Sequence, residues 1–196
     1  IKVGMFGGGG VDKTSISLRY LKGEFSDGYV PTIEDEFSKV IEVDNKTISL
    51  TIIDTAGQDD FVDMRMSYYS EVQGMILVFD IGNPTSIDDI RSIYRDAEES
   101  LEKGIPHVIA ANKGYLRDEG DQDLVPKEEY KNLESEFMCK VFEVNVKTGT
   151  GVDELFTDLI KQIVGNEKTP QKTAPKKKAN TKKETENGEG GCCIIE

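Results

Sequence analysis

"IKVGMFGGGGVDKTSISLRYLK", residues 1–22, passes from an apolar run through four glycines into a stretch of helical period. The opening six residues have the composition of a buried strand, and from Lys13 to about Lys22 the apolar positions Ile16, Leu18, Tyr20 and Leu21 turn to helical spacing. Between them Gly7, Lys13 and Thr14 match the form G-x-x-x-x-G-K-[ST]. Set between strand and helix, such a loop cradles phosphates. Its N–H groups point inward, the helix N-terminus adds positive potential, the lysine reaches the outer phosphates and the hydroxyl suits magnesium. One position departs: Asp12 stands where the second glycine belongs. A carboxylate about 4 Å from a phosphate charge costs on the order of 4 kcal/mol at an effective dielectric near 20. A side chain facing outward, or an offset from Lys13, would reduce that cost.

Outward from the loop, apolar runs alternate with helical stretches for roughly the first 164 residues, the pattern of an α/β fold. A six-stranded, mostly parallel sheet with helices on both faces is expected, as in P-loop proteins. "FSKVIEV" and "TISLTIID" flank Asp44, Asn45 and Lys46, and Ile48, Leu50 and Ile52 alternate with Thr47, Ser49 and Thr51, predicting an antiparallel hairpin at a sheet edge. "GMILVFD", "HVIAAN" and "KVFEV" supply further strands, with His107 read as a structural residue preceding its strand and Cys139 as packing. "EFSDGYVPTIED" has no period and reads as a long loop. The last helix is marked by Val152, Leu155, Phe156, Leu159, Ile160, Ile163 and Val164, all on one face.

The 196 residues suffice for one domain with a substantial core, here residues 1–164. Residues 165–196 are Lys, Thr, Pro, Asn, Glu and Gly with little apolar before the final five, and are expected to be a disordered tail. A net charge of −13 argues against a general nucleic-acid binder, which needs a basic face. Three cysteines form no spaced disulfide framework, so a reducing compartment is expected. No N-terminal signal pattern is read, and runs such as "GMILVF" fall far short of the ~20 residues that span a bilayer.

Two more segments gain meaning beside the loop. "DTAGQDD", residues 54–60, puts a carboxylate at the end of a strand, where open parallel sheets bind ligands. "YVPTIED", residues 29–35, offers Thr32 from the long loop. On "GGGGVDKT", "PTIED" and "DTAGQ" in this order, the chain resembles a small GTPase of the Ras and Rap branch over about 164 residues. The resemblance implies GTP or GDP with magnesium as ligands. It places Gly7, Gly8, Gly9, Gly10, Val11, Asp12, Lys13, Thr14 and Ser15 around the phosphates, with Gly9 leaving room for a partner's arginine. By the same resemblance Thr14, Thr32 and Asp54 serve the metal, Lys13 and Gly57 the outer phosphate, and Gln58 the attacking water, with Phe25 against the base. Slow hydrolysis dependent on a GAP, an exchange factor, and Ras-binding-domain effectors on Thr32, Ile33, Glu34 and Asp35 are implied, for a monomer that binds no nucleic acid.

The motif N-K-x-D, which reads the base in that family, stands here as "NKGY", with Asn112 and Lys113 kept and Tyr115 in place of the aspartate. Its S-A-K loop is "NVK", leaving Val146 and Lys147 at the base; Asp118 and Asp121 lie close by. "CCIIE" fits a C-a-a-X signal with a lipid on Cys193, supported by Cys192 or by Lys176, Lys177 and Lys178. The cytoplasmic face of a membrane, the plasma membrane first, is the expected location. Two readings stay open: a membrane-anchored GTP switch, and a binding module of the same fold whose nucleotide affinity is weak or absent through Asp12 and Tyr115.

Overall fold

The computed structural model describes residues 1–25, 34–43, 45–57, 62–101 and 104–167. Lys2–Phe6 forms β1 and Lys13–Lys22 forms α1, followed by β2 (Glu34–Val43), β3 (Lys46–Thr55), α2 (Val62–Tyr69) and β4 (Gly74–Asp80). Then come α3 (Ser86–Ser100), β5 (His107–Asn112), the short α4 (Tyr115–Asp118), α5 (Lys127–Phe137), β6 (Val141–Glu143) and α6 (Val152–Glu167). The strands make one six-stranded sheet in the order β2-β3-β1-β4-β5-β6. β2 pairs antiparallel with β3, and the other neighbours pair parallel. This is the α/β architecture expected from the alternating pattern.

Because strand side chains alternate between faces, each core strand feeds two cores. Ile76 and Val78 of β4 join Val3 and Met5 of β1 on one face, under Ile16 of α1 and Leu155, Phe156, Leu159 and Ile160 of α6. Met75, Leu77 and Phe79 point the other way, to Ile90 and Ile93 of α3 and Leu133 and Phe137 of α5. The first face is closed by Tyr20 of α1 stacked on Phe156, with ring centroids 3.9 Å apart and planes 12° from parallel. Gly74 lets α6 lie this close to β4, since a Cβ there would stand 2.7 Å from the Ile163 Cδ1. α1 stops at Gly23, which takes φ 71° and returns its N–H to the Arg19 carbonyl at 3.0 Å.

Two expectations need correction. β2 starts at Glu34, inside the stretch read as loop, because the register Glu34↔Thr55 extends the hairpin along the edge of β3 that β1 leaves open. His107 is the first residue of β5 and does not precede it. Its ring nitrogens lie 2.8 Å from the carbonyl oxygens of Ile105 and Phe137, tying β5 to the end of α5.

Phe156 is wholly buried and carries the contact between α1 and α6. Phe156→Ala is expected to lower the unfolding free energy by about 3–5 kcal/mol in urea titration. Met138→Ala, at a site 87% exposed, is expected to stay within about 0.5 kcal/mol.

Candidate functional site

β1 ends in the middle of the sheet with parallel neighbours on both sides, so the chain leaves β1, β3, β4 and β5 at the same edge. The register sets Met5 beside Asp54 and Asp80 beside Asn112. Gly7 and Gly8 are buried and Gly9 and Gly10 exposed, while Val11 anchors the loop in the core. A Cβ at Gly7 would run into the Val78 carbonyl of β4.

Lys13 opens α1 and is 7% exposed. Its Nζ donates to the carbonyl oxygens of Gly7 and Gly8, each at 3.0 Å, folding the ammonium back under the loop. Gly57 reaches the same spot from the end of β3: a Cβ there would stand 2.5 Å from that Nζ and collide with the Gly8 carbonyl. Thr14 donates its hydroxyl to Asp54 Oδ2. Asp54 is fully buried, and its Oδ1 finds no hydrogen-bond partner among the described residues. Burial is the largest influence on this carboxyl and pushes it up to about 6, against the pull of Thr14 and Lys13, with Asp35 adding to the rise. Asp35 is the residue opposite Asp54 in the hairpin register.

A hydroxyl beside a carboxylate with one uncommitted oxygen fits magnesium, which takes one or two protein ligands and completes its sphere from phosphates and water. No group of three or more His, Cys, Asp or Glu side chains gathers around a metal position among the described residues.

Asp12 adopts φ 61° and ψ 43°, the left-handed conformation for which a glycine is usual and which aspartate tolerates better than most residues. Its carboxylate lies 3.8 Å from the Lys113 ammonium, which in turn lies 2.7 Å from Asp80. Burial raises the Asp12 carboxyl most, opposed by Lys113, with Asp80 raising it and Lys13 lowering it. Burial works to lower Lys113, but Asp80 and Asp12 outweigh it and hold the ammonium above its ordinary value. Asp80 is thus the principal partner of Lys113 and Asp12 the second. The expected charge at the tight point is present, and it is turned toward a cation.

Asn112 ties β5 to the loop, its Nδ2 donating to the Val11 carbonyl at 2.9 Å. Lys147 donates to Glu119 at 2.7 Å, and its ammonium sits 3.9 Å from the centroid of the Tyr115 ring. Asn145 accepts the N–H groups of Lys147 and Thr148 at 3.0 and 3.1 Å and donates to Asp118 at 3.0 Å. Asp118 therefore reaches the second half of the site, a link that adjacency in sequence did not reveal. Phe25 packs against the first core, Ser15 is half-buried in the first turn of α1, and the Val146 side chain lies wholly inside the core. Asp35 is exposed on β2, and Glu34 begins that strand. Thr32, Ile33, Gln58, Cys192 and Cys193 lie outside the described residues. Asp80 and Glu119 were not anticipated. Pairing "GMILVFD" with "HVIAAN" end to end would have placed Asp80 next to Asn112 and Lys113.

Comparison with known proteins agrees with this geometry. The family model described as Ras family matches residues 2–165. Protein ras-1 of Neurospora crassa is 36% identical over 163 residues, which cover 83% of this chain and 75% of that protein.

The buried Asp54 gives a pH test. The folded carboxyl holds its proton up to about pH 6, whereas the unfolded one releases it near 3.8. Stability of the magnesium-free chain from this group therefore falls as pH rises between those values, by about 3 kcal/mol in total. In urea titrations without magnesium, Asp54→Asn is expected to gain on the wild type by about 2 kcal/mol between pH 4 and pH 6.5. A difference that does not change with pH would refute the assignment.

Proposed function

Because this chain belongs to the Ras family, and is a Ras-like GTP-binding protein, we propose that it works as a membrane-anchored switch that binds GTP and GDP with magnesium and hydrolyses GTP slowly. The convergence of Lys13, Gly57 and the Thr14–Asp54 pair on one loop edge carries this reading. In it the loop N–H groups and Lys13 hold the β- and γ-phosphates, Thr14, Thr32 and Asp54 hold magnesium, Gly57 meets the γ-phosphate and Gln58 orients water. Magnesium supplies charge neutralisation across the phosphates. Phe25 and Lys147 flank the base, and a GAP accelerates hydrolysis through the space beside Gly9, as an exchange factor accelerates release.

Asp12 weighs less against this reading than its sequence position suggests. Asp12 faces Lys113, which it shares with Asp80, so part of the repulsion of roughly 4 kcal/mol expected for a bare carboxylate is offset. The reading as a partner-binding module with weak or no nucleotide affinity rests on Tyr115. Under either reading Glu34 and Asp35 present an acidic edge strand to a basic strand of a Ras-binding domain. Lipid on Cys193, with Cys192 or the lysine cluster at 176–178 as the second signal, would hold the switch at the cytoplasmic face of a membrane.

The direct test is to release and identify the nucleotide carried by protein purified with magnesium. Guanine nucleotide near one per chain is expected, and empty protein that takes up no added GTP would remove the switch reading. Gln58→Leu is expected to slow single-turnover hydrolysis while leaving GTP affinity within a factor of about three; equal loss of both would deny it the role of aligning water. Binding to a Ras-binding domain is expected to weaken with salt and with Asp35→Lys, as an attractive contact becomes repulsive. For the switch it strengthens when a GTP analogue replaces GDP, and no binding in either state would remove the effector assignment.

A further inference from the structure

We propose that this site accepts a purine nucleoside triphosphate without choosing guanine over adenine, because the aromatic ring of Tyr115 and not a carboxylate stands where the base is met. The inference deepens the nucleotide-binding reading and rests on it. With phosphates on the loop from Gly7 to Thr14, the nucleoside extends along the sheet edge toward β5, where Asn112, Lys113, Tyr115 and the turn at Asn145–Lys147 come together.

Guanine differs from adenine by presenting two adjacent N–H donors, at N1 and at the exocyclic amine, and a carboxylate accepts both at once. Four carboxylates around this end of the site have partners of their own. Asp12 and Asp80 face Lys113, at 3.8 and 2.7 Å. Glu119 pairs with Lys147 at 2.7 Å, and Asp118 accepts from Asn145 at 3.0 Å. Tyr115 is half-buried and packs on the apolar core, with Lys147 over its face and Lys113, Asp12 and Asp80 in its electrostatic surroundings. The ring is therefore held under Lys147 against the core and is not swung out to solvent.

What Tyr115 offers a base is the exposed part of an aromatic ring that lies under Lys147, and one hydroxyl that both donates and accepts. Neither feature distinguishes the Watson–Crick edge of guanine from that of adenine. A site that hydrogen-bonds its ligand's distinguishing groups rejects the wrong ligand by roughly 10⁴-fold, whereas contact without such bonds discriminates by about tenfold to a hundredfold.

The test uses the full chain, stripped of nucleotide with EDTA, returned to magnesium and loaded with ribose-labelled fluorescent GTP. GTP and ATP are then compared as displacers. The wild type is expected to give dissociation constants within about tenfold of each other, and Tyr115→Phe the same ratio, since the ring is retained. Tyr115→Asp is expected to favour GTP by a hundredfold or more. A wild-type preference for GTP above a hundredfold overturns the inference and leaves nucleotide binding intact. So does an unchanged ratio in Tyr115→Asp that remains folded by circular dichroism; should that variant not fold, the wild-type and Tyr115→Phe ratios decide. Failure of labelled GTP to bind at all overturns the nucleotide-binding reading and this inference with it.

Discussion

Parallel pairing of β1 with β3 on one side and β4 on the other is the constraint from which the site follows. A strand bracketed in this way is buried on both faces, as Val3, Met5 and Phe6 are, and its ladder leaves no choice about where the chain emerges. The loop after β1 must then turn above the ends of its neighbours. There it finds the Val78 carbonyl beneath Gly7 and Asp54 beside Met5. Lys13 can fold back on the loop carbonyls because α1 starts at the point where the sheet edge stops. Each contact is local, yet each depends on the register of strands roughly 50 or 70 residues away.

Charge compensation organises the opposite half of the edge. Lys113 takes a positive φ of 65°, uncommon for a residue with a long side chain, and its ammonium meets Asp80 and Asp12 together. The cation thus links the ends of β4 and β5 to the phosphate loop. An acidic residue in a glycine's place brings two costs, a left-handed backbone and a negative charge, and both are moderated here by the choice of residue and by the neighbour it faces. Arg117 performs a similar linking task further along, bonding Glu143 at 2.8 Å, Tyr130 at 3.0 Å and the Val125 carbonyl at 2.5 Å. That cluster fixes the short α4, which carries Tyr115 and Asp118.

Much of this was legible in the chain itself. Local patterns report local structure well: α1, β4 and β5 fall on the residues their periodicity marks, and the strand–glycine loop–helix order places Lys13 and Thr14 without further information. The turn between β2 and β3 was legible for the same reason, with Asn45 taking the left-handed φ of 60°. The start of β2 was not, because Glu34–Glu36 has no apolar alternation and becomes strand through its partner. Side-chain direction was also out of reach. Whether Asp12 faced phosphate or protein depended on Asp80 and Lys113, and those meet it only through the register of β4 with β5. Tyr115 could be seen as a departure from the expected aspartate, but its place under Lys147 could not.

The central position of β1 also bears on the order in which the molecule assembles. Its second parallel partner, β4, lies roughly 70 residues further along the chain. At ribosomal rates of about 5–20 residues per second, the interval between the two amounts to roughly 4–14 s of synthesis. During that time Val3, Met5 and Phe6 have no second neighbour, while the hairpin of β2 and β3 can close on its own within microseconds of emerging. The hairpin is thus the natural first scaffold and β1 the strand that waits, so a chain stalled before Gly74 exposes an apolar ribbon with an unpaired edge. Such a ribbon is a substrate for chaperones and a seed for aggregation. The edge that later bears the phosphate loop stays open until the fourth strand arrives.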